Sequence, residues 1–189
     1  LKLRDLTPNT HEKDNQPMSD EPARGGWALT PINEWTSYDP FGRLKPADDS
    51  ANHVPVTDTT GAAQILAPRN GYASFGLLVT GTGTYRIRST VRGGPRVEFY
   101  RAWYHRMAET EGGEPRYVPD ALIPFGRGDD LRLPDPDNRI EGQTTQQIWV
   151  DIYVPGDARP GLTRGKIILE SSEATVELSL TLQISDKVL

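Results

Sequence analysis

From residue 62 onward, apolar and polar residues alternate in short runs that turn residues interrupt. The runs are "AAQIL", "YASFGLLVT", "TYRIRSTV", "RVEFYRAWY", "QIWVDIYV", "RGKIILES" and "ATVELSLTLQI". Each is long enough for one strand, and "APRNG", "GTG", "RGGP", "PGDARPG" and "SSE" between them carry Gly, Pro, Asn or Ser, the residues of tight turns. The last run is the most regular. Val176, Leu178, Leu180, Leu182 and Ile184 alternate with Glu177, Ser179, Thr181 and Gln183, which predicts one buried and one wet face. Ile148, Val150, Ile152 and Val154 form a matching inward row, and Trp149, Asp151 and Tyr153 point the other way. Strands in this number, with hardly any helical period, predict a two-sheet antiparallel immunoglobulin-like sandwich over residues 61–189.

Two regions break the pattern. Residues 1–60 hold seven of the 16 prolines and no sustained period, and polar runs such as "NTHEKDNQ" bury too little surface to offset their ordering entropy. Trp27, Leu29, Ile32, Trp35, Tyr38 and Phe41 are spaced along this segment. It reads as a long, irregular, proline-rich extended arm whose apolar pegs wrap a surface, on its own domain or on a neighbour. Residues 105–146 contain five prolines and little strand pattern. Val118, Leu122, Ile123, Phe125, Leu131 and Leu133 predict an ordered excursion packed down by its own side chains.

Composition narrows the function. The chain has 189 residues, 21 basic against 26 acidic, a net charge of -5, and no cysteine. That balance argues against a nucleic-acid partner, whose phosphates demand a basic stripe. The absence of cysteine excludes disulfides, thiolate metal sites and cysteine nucleophiles. No apolar run reaches about 18 residues, so no transmembrane segment is expected. The first residue is Leu1 rather than Met, which points to a processed chain without its targeting segment and to the periplasm or cell surface.

Candidate chemistry is sparse. His11, His53 and His105 lie far apart, with no HExxH spacing. Asp129, Asp130, Asp135 and Asp137, with Asn138, are a weak calcium candidate; Asp-Pro is also ordinary turn chemistry, and a solvated turn is the favoured reading. No GxSxG elbow occurs, and "GTGTYR" precedes no helix, so it reads as a hairpin turn rather than a phosphate loop. No cofactor, no metal and no catalytic constellation are expected. Arg92, Arg96, Arg101 and Arg106 among aromatics read as a salt-bridged strand surface. The aromatics stand out. Trp149 and Tyr153 share a strand face, and Trp103 and Tyr104 lie on another strand. Such rings stack on sugars or anchor protein interfaces, unless the arm or the excursion covers them.

Three pieces resemble a known family. "ILAPRNGYASFGLLV" at 65–79, "AWYHRM…RYVPDALIPFG" at 102–126 and "QQIWVDIYVPGDARPGLTRGKIIL" at 147–170 are similar, in order, to the N-terminal sandwich of glycoside hydrolase family 123 and DUF4091-type proteins. In that sandwich the third piece is a hairpin, its strand ended by Pro155, its turn made by "GDARPG", and Gly165 placed where a side chain would crowd the pairing. The chain departs from the pattern at Gly71, Gly76 and Leu162, and the catalytic barrel of the hydrolases is absent. The resemblance implies an accessory sandwich with no catalytic residue to transfer. The expected function is a non-catalytic structural or accessory subunit that binds a protein partner through Trp27, Trp35, Trp103, Trp149 and Tyr153. The alternative is a carbohydrate-binding module of a glycoside hydrolase using the strand-face rings.

Overall fold

A computed structural model describes residues 26–44, 56–58, 61–107 and 116–189. Ten strands form two five-stranded sheets. They are β1 (Ala28–Ile32), β2 (Ala63–Arg69), β3 (Gly71–Thr80), β4 (Gly83–Val91), β5 (Arg96–Met107), β6 (Arg116–Phe125), β7 (Leu131–Leu133), β8 (Thr145–Val154), β9 (Gly161–Ser171) and β10 (Thr175–Val188). The first sheet runs β1-β3-β8-β5-β6 and the second β2-β10-β9-β4-β7. Among the described residues no helix is long and apolar enough to cross a membrane.

All seven expected strands form. Their inward rows meet in one core, where Phe75, Leu77, Val79, Phe99 and the Ile148–Val154 row face Ile87, Leu169, Leu178, Leu180, Leu182 and Ile184. Each such side chain contributes about 1.5–3 kcal/mol when fully buried, which sets the register of both sheets.

The topology corrects the sequence reading in several places. The second sheet is mixed, because β2 runs parallel to β10 while every other pair is antiparallel. The β8–β9 stretch is not a hairpin: β8 pairs with β3 and β5, and β9 pairs with β10 and β4. Pro155 and "GDARPG" carry the chain from one sheet to the other. The crowding at Gly165 is real, since a Cβ there would sit 2.4 Å from the Thr90 carbonyl oxygen on β4. "GTG" also crosses between sheets, from β3 to β4, rather than closing a hairpin.

Strand structure extends into both irregular regions. β5 continues to Met107 and pairs with β6, which lies wholly inside the expected excursion, and β7 adds a short edge to β4. Within the expected arm, β1 pairs with β3 from Ala28↔Thr80 to Ile32↔Gly76. Trp27, 1 % exposed, sits in the core with its ring centroid 5.0 Å from that of Tyr85. Gly81 makes this possible, because a Cβ there would fall 2.3 Å from the indole.

Candidate functional site: an aromatic sheet face

The side of the first sheet turned away from the core carries three cross-strand rows. Tyr72, Tyr153 and Arg96 are register partners on β3, β8 and β5; so are Ser74, Asp151 and Glu98, and so are Gly76, Trp149 and Tyr100. Alternation puts them here: the odd residues of β8 face outward because its even residues fill the core.

The rows interlock. The Tyr72 and Tyr153 rings lie 5.1 Å apart, tilted by 50°, and the Arg96 guanidinium sits 5.0 Å from the centre of the Tyr153 ring. The Tyr153 hydroxyl donates to Asn70 Oδ1 at 3.2 Å. In the next row one carboxylate oxygen, Asp151 Oδ1, accepts from Trp149 Nε1 at 2.7 Å and from Ser74 Oγ at 2.6 Å, which fixes the indole against the sheet. Tyr100 donates to Glu98 at 3.1 Å, and this bond to the carboxylate holds its phenol above the ordinary tyrosine range. Tyr72 remains 56 % exposed.

The chain itself covers the other half of this face. Residues 33–44 fold back across it: Tyr38 N–H donates to Gln147 Oε1, Gln147 Nε2 donates to the Thr36 carbonyl, and the Thr144 and Thr145 N–H groups both donate to the Pro40 carbonyl. Leu78 is consequently buried although it points away from the core. Covering ends at Gly76, where Ile32 occupies the space a side chain would need. Beyond it lie Trp149, Tyr153, Tyr72 and Tyr100.

The candidate residues thus separate. Trp149 and Tyr153 are on the open face together. Trp35, 66 % exposed, projects from a turn of the covering segment in which Asn33 Oδ1 accepts from the Trp35 N–H and the Thr36 hydroxyl. Trp27 is a core residue out of reach of any partner. Trp103 packs against the Arg101 guanidinium, 5.9 Å away, on the opposite side of β5 from Tyr100, and Tyr104 is buried. Sequence reasoning missed Tyr72, Tyr100 and Arg96 as members of the face. Tyr72 alternates with the β3 core row and was findable; the pairing that joins it to Tyr153 was not.

The acidic residues proposed for calcium are engaged otherwise. Arg101 bridges Asp135 and Asp137, Arg86 pairs with Asp130 at 2.6 Å, and Asp129 Oδ2 accepts from the Gly126 N–H at 2.7 Å. The hydrogen bond from Arg86 holds the Asp130 carboxyl below its usual range. The four aspartates and Arg101 line a cavity of about 340 Å³ beside Tyr85. Among the described residues no group of three or more His, Asp or Glu side chains is placed to hold a metal ion. His105 lies on β5 opposite Val118, and His11 and His53 fall outside the described residues.

No family model and no curated protein matches this chain. A family 123 glycoside hydrolase from Clostridium perfringens, described in the context of glycolipid glycan hydrolysis, superposes with a TM-score of 0.59 at 11% identity, over 86% of this chain and 28% of that one. The chain therefore spans little more than a quarter of that hydrolase, and the likeness is one of fold. A FixG-related protein from Vibrio parahaemolyticus (TM-score 0.33, 11% identity, 84% of this chain and 96% of that one) overlaps too poorly to show a common fold. The same holds for the sporulation control protein Spo0M from Bacillus subtilis (TM-score 0.29, 6% identity, 64% and 45%).

Proposed function

We propose that the chain is a non-catalytic accessory module of an extracytoplasmic protein assembly, holding a protein partner against the open half of the first sheet. The observation that carries the reading is the row Tyr72–Tyr153–Arg96, continued by Trp149 and Tyr100 on the same face. Tyr, Trp and Arg are the side chains that dominate interface energetics, because each combines a large apolar surface with a polar tip. Here they are already held by one another and by Asp151, so little side-chain entropy is lost on binding.

A second reading keeps the same face and gives it a sugar. Its support is the fold shared with a glycoside hydrolase, of which this sandwich would be the accessory part, and the presence of acceptors beside the rings. The 50° tilt between Tyr72 and Tyr153 weighs against a flat polysaccharide platform and leaves room for one stacked ring.

The test is site-specific photo-crosslinking in the native host, with the probe at Tyr72 and, as a control on the opposite sheet, at Leu66, which is 70 % exposed. The expected result is one protein crosslinked from Tyr72 alone and lost in the Tyr153→Ser/Trp149→Ala variant. Equal capture from both positions, or none, overturns the proposal. A glycan-array hit that the same double substitution abolishes transfers it to the second reading.

A further inference from the structure

Among the described residues, the second sheet has an edge stretch without a strand partner. β9 pairs with β4 from Tyr85 to Val91, but β7 covers only Gly83–Tyr85 on the other side. Among the described residues, Arg86–Val91 therefore have one strand neighbour. In the facing sheet, β6 joins β5 only from Phe99 onward, so among the described residues Arg96–Glu98 pair with β8 alone. Alternate residues of each uncovered stretch turn their N–H and C=O groups away from the sheet.

Between these two edges runs a groove of about 710 Å³, continuous with a second of about 540 Å³ through Ser89, Val97 and Arg127. Ser89 and Val91 line it from one side of β4, and Thr90 and Arg92 from the other, so it follows the strand edge rather than a sheet face. The charge of its first part is one-sided. Arg92, Arg127, Arg164 and Lys166 line the first part with no carboxylate among them, in a chain whose net charge is -5. Lys166 is paired with Glu177 and Arg127 lies within electrostatic reach of Glu170, whereas Arg92 and Arg164 have no ion-pair partner among the described residues.

We infer that this groove binds an acidic, extended polypeptide segment that adds as a strand to β4. Six residues from Arg86 to Val91 offer about 20 Å of edge at about 3.3 Å per residue, enough to pair six residues of an added strand. In an added strand, every second side chain falls on the Thr90–Arg92 side, where guanidinium groups wait for Asp or Glu. The intervening ones fall towards Val91 and Val97, which take small apolar side chains. A second copy of this chain fits poorly, because edge-to-edge pairing would set the two groups of arginines against each other. Of the aromatic face, only Arg96, Glu98 and Tyr100 reach this groove, at its second part.

Fluorescence anisotropy of the full chain with labelled Glu-Val-Glu-Val-Glu-Val-Glu tests it. Binding is expected, weakening with salt, with protection of the Arg86–Val91 amides in hydrogen exchange. It should fall at least about tenfold in Arg92→Glu/Arg164→Glu and in the loop variant Arg127→Glu, but not in Tyr72→Ala or Arg116→Glu. A peptide with proline at its centre should fail. Equal binding of the proline peptide, or full competition by sulfate at the same charge concentration, reduces the groove to an anion patch and overturns the proposal. So does a gain of more than about tenfold on deleting residues 1–25, which assigns the groove to the chain's own segment, or an edge-paired dimer in sedimentation.

Discussion

Replacing Trp27 with alanine decides whether residues 26–44 belong to the sandwich or merely lie near it. The indole is 1 % exposed, packs on Tyr85, and sits in space that only a glycine at position 81 leaves open. Truncating a buried Trp to Ala costs about 3–5 kcal/mol, the lost transfer free energy plus the cavity left behind. Against a total stability of about 5–15 kcal/mol, that is a large fraction. With a urea m-value of about 1–3 kcal/mol/M, the denaturation midpoint should fall by about 2 M at unchanged m. Trp35, eight positions along and 66 % exposed, supplies the control: Trp35→Ala should stay within about 0.5 kcal/mol of the parent.

Gly81→Ala extends the test. Its Cβ would meet the indole at 2.3 Å, and overpacking of this kind costs about 1–3 kcal/mol. In the Trp27→Ala background the obstructing ring is gone, so the second substitution should cost less than it does alone. Urea titrations of the four proteins give the coupling directly. Equal midpoints for Trp27→Ala and Trp35→Ala, or strictly additive costs in the double variant, would refute the placement of Trp27.

Two further outcomes follow from buried polar groups. Arg101→Met leaves the Asp135 carboxylate, 4% exposed, with the Asp137 and Asn138 N–H groups as its remaining donors among the described residues, and should cost about 3–5 kcal/mol; Lys166→Met, which opens the surface pair with Glu177, should cost less than about 1 kcal/mol, and indistinguishable losses in urea would contradict this. Burial pushes the Tyr85 and Tyr104 phenols well above their ordinary value of 10.0. A group whose folded-state value is raised contributes stability that is complete below the unfolded value and lost as pH rises towards the folded one. Spectrophotometric titration should therefore leave these two of the seven tyrosines protonated until the chain unfolds in alkali. A single transition of all seven near 10 with native circular dichroism would count against it.

What was legible in the sequence was whatever depends on alternation alone. The β8 and β10 rows were fixed because a one-residue slip would turn every Ile and Leu to water. β6 was hidden because "RYVPDALIPF" contains Pro119 and Pro124. On an edge strand those prolines are tolerated, since half of the N–H groups have no ladder partner to lose. β1 was hidden for the same reason, through Pro31 and its shortness. Pairing was not legible. A Pro-Gly turn has one chemistry whether it closes a hairpin or crosses between sheets, so β8–β9 and β3–β4 were misjoined, and the parallel β2–β10 pair left no local mark. Trp27 and Trp35 differ only in what lies opposite them. The glycine that admits one indole is remote in sequence, and nothing around either tryptophan announces it.

The two surfaces proposed here have a common origin in where covering elements stop. Residues 33–44 shield the first sheet as far as the Gly76–Ile32 contact, and the aromatic rows begin where that shield ends. β7 and β6 shield β4 and β5 as far as Tyr85 and Phe99, and the bare edges begin there. Arg96 belongs to both surfaces, because it stacks on Tyr153 and also lines the groove, as Glu98 and Tyr100 do. An acidic strand seated on β4 would draw Arg96 towards its carboxylates and loosen its hold on Tyr153. The two surfaces would then be coupled through Arg96, and a partner that used both would have to supply its own contact to the Tyr153 ring.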